Sequence, residues 1–298
     1  MKKFLMIFID GVGIGKPNPE FNPFFKYGFK TFTEYFGDVP TLENQILRSA
    51  NKILFPTDAR LGIEGLPQSG TGQVSIFCGV NAPKFVGKHF GPFPYSTTIP
   101  IIRDKNIFKS TSDLGLKVSF VNAFPQVFFD YLNSGRQRLS VTSKSCTLSG
   151  IKLNTIDELR EGKALTAEIT NERWNKILNY DIPIISPQEA AARLLNIAEE
   201  NDYTLYEYFL TDHLGHWRYI PEIEPIMRNL DEFLFHLLTN IDDEKMNLLI
   251  CSDHGNFEDL SVKTHTLNPS ITITNSNLIF EEVKDLSEIK DAVIKHFR

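Results

Sequence analysis

Phe4-Leu5-Met6-Ile7-Phe8-Ile9-Asp10-Gly11-Val12-Gly13-Ile14-Gly15 sets the reading of this chain. Six consecutive apolar residues halt on an aspartate, and three glycines follow at alternate positions. A continuous apolar run of this length reads as a strand buried on both faces, as in a parallel sheet. The same grammar recurs. Val118–Val121 ends on Asn122, Thr204–Leu210 on Thr211-Asp212, and Asn247–Cys251 on Ser252-Asp253-His254. Helical patterns lie between these runs. Ser186-Pro187-Gln188-Glu189 is a capping box with proline at the first helical position. Ile226, Leu230, Phe233, Leu234 and Leu237 repeat at helical spacing, as do Leu286, Ile289, Val293 and Phe297. Strands alternating with helices predict an α/β three-layer sandwich with a mainly parallel sheet. In such sheets ligands bind beyond the carboxyl ends of the strands, where Asp10, Asp212 and Asp253 stand.

From about Tyr95 to Tyr180 the apolar runs shorten and Ser, Thr, Lys and Arg become dense. This predicts a small inserted cap over residues 96–184, with residues 1–95 and 185–298 forming one discontinuous core domain. A length of 298 residues suits two such units. Hydrophobic residues at 42% and charged residues at 23% are ordinary for a globular protein. Lys plus Arg total 31 against 37 Asp plus Glu, a formal charge of −6. An evenly acidic chain disfavours nucleic acid and anionic membrane surfaces as partners. Cys78, Cys146 and Cys251 form no C-x-x-C pair, which argues against a disulfide scaffold or a cysteine zinc site. The apolar run that ends on Asp10 is shorter than the roughly 7–15 residues of a signal-peptide core. No run approaches the roughly 20 residues of a spanning helix. A cytoplasmic location is therefore expected.

Four segments carry candidate chemistry. The glycines after Asp10 have the spacing G-x-G-x-G, not G-x-G-x-x-G, and Pro17, Pro19 and Pro23 prevent a helix from starting there. A dinucleotide site is excluded, and Asp10 becomes the working residue above a sharp turn. Asp212 and His216 lie four apart, so one helical turn or a tight loop would bring both to one metal. Asp253 and His254 pair a hard with a borderline ligand, suited to zinc or manganese, and His265 follows. In Gly65-Leu66-Pro67-Gln68-Ser69-Gly70-Thr71-Gly72-Gln73, Ser69 or Thr71 would sit at a helix N-terminus, where an anion is favoured.

In this order, Asp10-Gly11, Thr71-Gly72-Gln73, Asp212-x-x-x-His216, Ser252-Asp253-His254-Gly255-Asn256 and His265 resemble the alkaline phosphatase superfamily of metalloenzymes. They are most similar to its branch of phosphopentomutase and cofactor-independent phosphoglycerate mutase. The resemblance implies two divalent ions, manganese or zinc. Asp212, His216 and His265 would hold one; Asp10, Asp253, His254 and the nucleophile hydroxyl would hold the other. The Thr-Gly pair matches the phosphopentomutase turn and makes Thr71 the nucleophile, with Ser69 as the alternative. The mutase turn places a serine before Glu-Val-Gly-His, whereas this chain reads Thr71-Gly72-Gln73-Val74. The sulfatase Cys or Ser followed by x-Pro-x-Arg is absent. Two dications against three aspartates leave one negative charge for a Thr71 alkoxide.

The implied activity is a phosphomonoesterase working through a phospho-threonine, or else a phosphomutase on a sugar phosphate or phosphoglycerate. A metal-stabilised binding module without catalysis is the reading from another class. The partner is a small phosphorylated substrate. Arg136, Arg138 and Lys163 are candidates to grip it from the cap, though a solvated basic face explains them equally. His89 is a candidate substrate contact or a structural residue.

Overall fold

The computed structural model describes residues 2–136 and 138–298. Seven strands, β1 (Lys3–Ile9), β2 (Leu47–Ser49), β3 (Lys52–Thr57), β4 (Val118–Phe120), β5 (Tyr203–Tyr208), β6 (Met246–Cys251) and β7 (Ser270–Thr274), form one sheet of order β2-β3-β7-β6-β1-β5-β4. The four strands β6, β1, β5 and β4 run parallel. The other three extend the sheet antiparallel from β6.

Successive residues of a strand point to opposite faces, and β1 divides its side chains accordingly. Leu5, Ile7 and Ile9 pack with Leu194, Phe233 and Leu237 of the helices Pro187–Glu199 and Ile223–Asn240. Phe4, Met6 and Phe8 pack with Phe77, Phe108 and Val293, from the helices Ser69–Cys78, Ile107–Asp113 and Ile289–His296. Helices on both faces make the three-layer α/β sandwich, with β1 in the buried middle. The capping box at Ser186 forms, starting its helix at Pro187. The run read to Leu210 is shorter as a strand, because β5 stops at Tyr208 and Leu210 opens a helix, Leu210–Gly215.

The range 96–184 is too wide for a cap. β4 pairs with β5 inside the main sheet, and Ile102, Phe108, Phe120, Val141 and Cys146 belong to the main core. The apolar spacing of these short helices already met the core, but their polar faces masked it in composition. Among the described residues of this range, only Ala123, Leu159, Ala164, Trp174 and Ile182 form a separate buried cluster. All three cysteines are buried and free. Among the described residues no helix is long and apolar enough to cross a membrane.

Candidate metal centre

Three neighbouring strands deliver the acidic residues to one edge. β1 ends at Ile9, and the N–H of the next residue, Asp10, donates to Tyr208 O at 2.8 Å. The chain turns through Gly11 at φ 73°, a left-handed conformation that favours glycine, and a Cβ there would meet Asp212 at 3.0 Å. Thr211 Oγ1 donates to Asp10 O at 2.6 Å, tying the turn after β5 to the end of β1. The short helix Leu210–Gly215 puts Asp212 and His216 one turn apart. After β6, Ser252 accepts from Val12 N–H at 2.8 Å, which holds Asp253 and His254 beside Asp10.

The side chains converge. His216 Nε2 and His265 Nε2 are 3.0 Å apart, and Asp212 Oδ1 lies 3.4 and 3.5 Å from them. His254 Nε2 lies 3.4 Å from Asp10 Oδ1 and 3.5 Å from Asp253 Oδ2. The rings of His254 and His265 stack with centroids 3.7 Å apart. Two groups bring their ligand atoms within 4.8 Å of one another: Asp212, His216 and His265, and Asp10, Asp212 and His254. Asp212 stands in both. Asp253 Oδ1 accepts from Gly11 N–H at 3.3 Å. Gln73 Nε2 donates to Asp10 at 3.2 Å and to Asp253 at 3.4 Å, bridging the two carboxylates.

The donor set fits metal ions. His216 Nδ1 lies 2.7 Å from Lys263 O and His265 Nδ1 2.6 Å from Pro67 O, so each ring donates through Nδ1. With neutral rings, both Nε2 lone pairs then face each other and a carboxylate, an arrangement that a metal ion, or in its absence a proton on one ring, relieves. Asp10 Oδ1 and His254 Nδ1 are buried without a hydrogen-bond partner among the described residues. Asn256 Nδ2 orients Asp212 Oδ1 from 2.8 Å. Burial and the Asp253 charge push Asp10 well above the usual carboxylate range. Burial and the Asp212 charge raise Asp253 to about 7. Burial works against Asp212 too, but the His265 hydrogen bond and the surrounding histidines hold it well below its ordinary value.

The two candidate nucleophiles part company here. Ser69 is the first residue of the helix Ser69–Cys78, and its Oγ lies 2.9 Å from His254 Nε2. It lines a cavity of about 1010 Å3 together with Asp10, Asp212, His216 and His265. Thr71 is fully buried and is not among the lining residues. Its hydroxyl donates to Gln68 O and accepts from Phe90 N–H. Two residues along a helix turn a side chain by about 200°, so only one of the two hydroxyls can meet the cluster. The signal was present: the mutase-type Ser-Glu-Val-Gly-His turn fits Ser69-Gly70-Thr71-Gly72-Gln73 with serine and glycine in register.

Of the remaining candidates, Arg138 lines the cavity, while Arg136, Lys163 and His89 are not among its lining residues. Arg136 and Lys163 are exposed, the latter paired with Glu161 at 2.7 Å. His89 is half-buried, its Nε2 3.3 Å from Ile63 O. Sequence reasoning missed Glu207, a buried carboxylate that lines the cavity and accepts from Thr142 Oγ1 at 2.7 Å. Burial raises Glu207 to about 7, with the Thr142 hydrogen bond opposing. A lone acid inside the apolar strand Tyr203–Tyr208 was the available signal.

Residues 152–298 match the sequence profile of the Metalloenzyme superfamily. The chain is 24% identical over 183 residues to a 2,3-bisphosphoglycerate-independent phosphoglycerate mutase of Mycoplasmopsis synoviae, covering 59% of this chain and 35% of that protein. It thus spans about a third of the length of this curated relative. The fold is similar to that of an alkaline phosphatase from the Antarctic bacterium TAB5, with a TM-score of 0.51 and 12% identity over 98% of this chain and 97% of the other. A variant of that enzyme, with a TM-score of 0.50 and 11% identity over 98% of this chain and 96% of its own, holds magnesium in a site termed M3. A protein from Pyrococcus horikoshii matches with a TM-score of 0.50 and 16% identity over 92% of this chain and 84% of its own.

Proposed function

We propose, from the premise that this is an alkaline-phosphatase-like metalloenzyme, that it is a phosphomonoesterase in which Ser69 takes the phosphoryl group. The observation that carries this reading is the Ser69 hydroxyl at 2.9 Å from His254, inside a cavity shared with both ligand groups. Asp212, His216 and His265 would hold one divalent ion, and Asp10, His254, Asp253 and Ser69 a second. Mixed nitrogen and oxygen donors suit zinc or manganese. When bound, such ions supply the positive charge that lowers the pKa of a hydroxyl and stabilises phosphoryl oxygens.

The chain's own residues do the rest. The helix that begins at Ser69 directs its positive end at the anion. Gln73 keeps Asp10 and Asp253 apart and oriented. Ser69 Oγ attacks phosphorus in line, the ester alcohol departs, and the phospho-serine is then hydrolysed by water. Arg138, on the cavity wall, is suited to the substrate's anionic charge.

Glu207 adds a fourth carboxylate to the charge balance, so two dications are already matched before Ser69 ionises. A third cation held by oxygen donors of Glu207 and Thr142 is therefore part of the proposal, and magnesium fits such hard ligands. A phosphomutase is the second reading. The mutase-like sequence match favours it, and the outcome depends on whether the segments around Ala123, Leu159, Ala164, Trp174 and Ile182, the reduced cap, keep water from the phospho-enzyme. Free buried cysteines accord with a cytoplasmic setting.

The test is covalent. Brief incubation of metal-loaded protein with a phosphomonoester, followed by mass spectrometry, should locate phosphate on Ser69. Phosphate on Thr71 would restore the threonine assignment. Bound metals with no turnover of any ester would favour the inactive binding module. Released phosphate against isomerised product separates phosphatase from mutase.

A further inference from the structure

Beyond the phosphoryl site, the cavity carries aromatic rings that the chemistry above does not use. Phe93 belongs to the loop that presses on the nucleophile turn: a Cβ on Gly70 would lie 2.2 Å from Phe93 O. Phe93 lines the cavity and is 38% exposed. On the other flank, Phe209 immediately precedes the helix that bears Asp212. Its ring packs on His213 with centroids 5.2 Å apart and is 37% exposed. Phe124 and Phe128 stack with centroids 4.3 Å apart, and with Trp174 they line the same cavity.

Two partly exposed aromatic residues from separate elements thus line the cavity that holds the metal centre, together with Phe124, Phe128 and Trp174. Open aromatic surface inside a concave site marks a ligand-binding surface. The volume, about 1010 Å3, stands at the top of the roughly 300–1,000 Å3 range of small-molecule sites. The phosphate ester of a two- or three-carbon alcohol would leave most of that space, and both rings, to water.

We propose that the alcohol part of the substrate carries an aromatic ring, seated on Phe93 and Phe209 while its phosphate meets Ser69 and the metal ligands. This rests on the phosphomonoesterase reading and adds the substrate class to it. Offset or edge-on ring packing, with the exclusion of water, supplies the selectivity.

The test compares benzylphosphonate with methylphosphonate by titration calorimetry on the full chain loaded with manganese or zinc, and benzyl with methyl phosphate as substrates. The two alcohols have similar acidity, so a rate difference reflects binding. Burial of one ring predicts benzylphosphonate binding about ten- to a hundredfold tighter. Phe93→Ala and Phe209→Ala should each weaken benzylphosphonate about fivefold more than methylphosphonate, and Phe93→Leu should recover part of the loss. Phe85→Ala, at an exposed residue outside the cavity lining, should change neither. Equal affinity for the two phosphonates, with methyl phosphate still hydrolysed, would overturn this inference and leave the phosphatase reading standing. Binding of neither phosphonate, with neither ester hydrolysed, would remove both.

Discussion

The ends of β1, β5 and β6 and the basic stretch between Arg136 and Lys163 both stand out in the sequence, yet folding treats them in opposite ways. At the strand ends, Asp253 and His254 are wholly buried, and Asp212, His216 and His265 meet within 3.5 Å. Along the basic stretch, Arg136, Arg138 and Lys163 are exposed, and only Arg138 lines the cavity. Charge in water costs nothing and specifies little. Charge withdrawn from water must be matched by a counter-charge, so its placement is informative.

The sharpest way to break this contrast is to remove single groups from each side. Ser69→Ala should lower kcat/KM about a thousandfold or more and abolish the phospho-enzyme in mass spectra. Thr71→Ala should cost about 1 kcal/mol of stability through its two lost hydrogen bonds and leave turnover within about tenfold. Equal losses from the two would undo the nucleophile assignment.

Dialysis against a chelator should lower the melting temperature, and added manganese or zinc should restore it. Ligand present at about a thousand times its Kd stabilises by about 4 kcal/mol. Asp212→Asn, which touches both ligand groups, should remove that response. A melting curve indifferent to chelator would sink the metal centre.

Glu207 gives a pH test in the metal-free protein. Its folded value, about 7, lies above the ordinary 4.5, so the folded state holds the proton more tightly. The associated stability is complete below about 4.5 and is lost as pH rises through about 7, a change on the order of 3 kcal/mol. Urea unfolding across that window should show the decline, to which the raised Asp10 and Asp253 also contribute, and Glu207→Gln should make it shallower by the Glu207 share.

Gly70→Ala tests the close approach beside Ser69. The added methyl meets two backbone carbonyls, Phe93 O at 2.2 Å and Phe90 O at 2.7 Å, so destabilisation of about 1–3 kcal/mol is expected in chemical denaturation. On the opposite side of the comparison, Arg136→Ala and Lys163→Ala should change KM less than about twofold. Arg138→Ala should raise it severalfold. A large effect at Lys163 would mean that the cap closes further than its Glu161 pairing suggests.

Much of this was legible in the residues. The run from Phe4 to Ile9 read as a doubly buried strand and is one, because an unbroken apolar run has no face to give to water. The Asp-x-x-x-His spacing left a helical turn or a tight loop open, and the helix Leu210–Gly215 is the one that forms. The place of Phe108, Phe120 and Val141 in the main core was not legible, since they contribute single side chains to a core assembled from distant segments. β3 and β7 also escaped notice. Their hydroxyls and proline interrupt the apolar pattern, and Thr57 and Thr272 settle theirs by bonding to each other at 2.7 Å.

By itself, the sequence determined the layer architecture, the three strand-end aspartates and the histidines that accompany them, because periodicity and ligand spacing are local properties of the chain. Only the tertiary structure set Ser69 beside His254 and Thr71 away from the cavity lining, brought Glu207 to the same cavity, and placed Phe93 and Phe209, more than a hundred residues apart, on its wall. Those choices turn on the rotation of a helix and the meeting of separate elements, which no local pattern encodes.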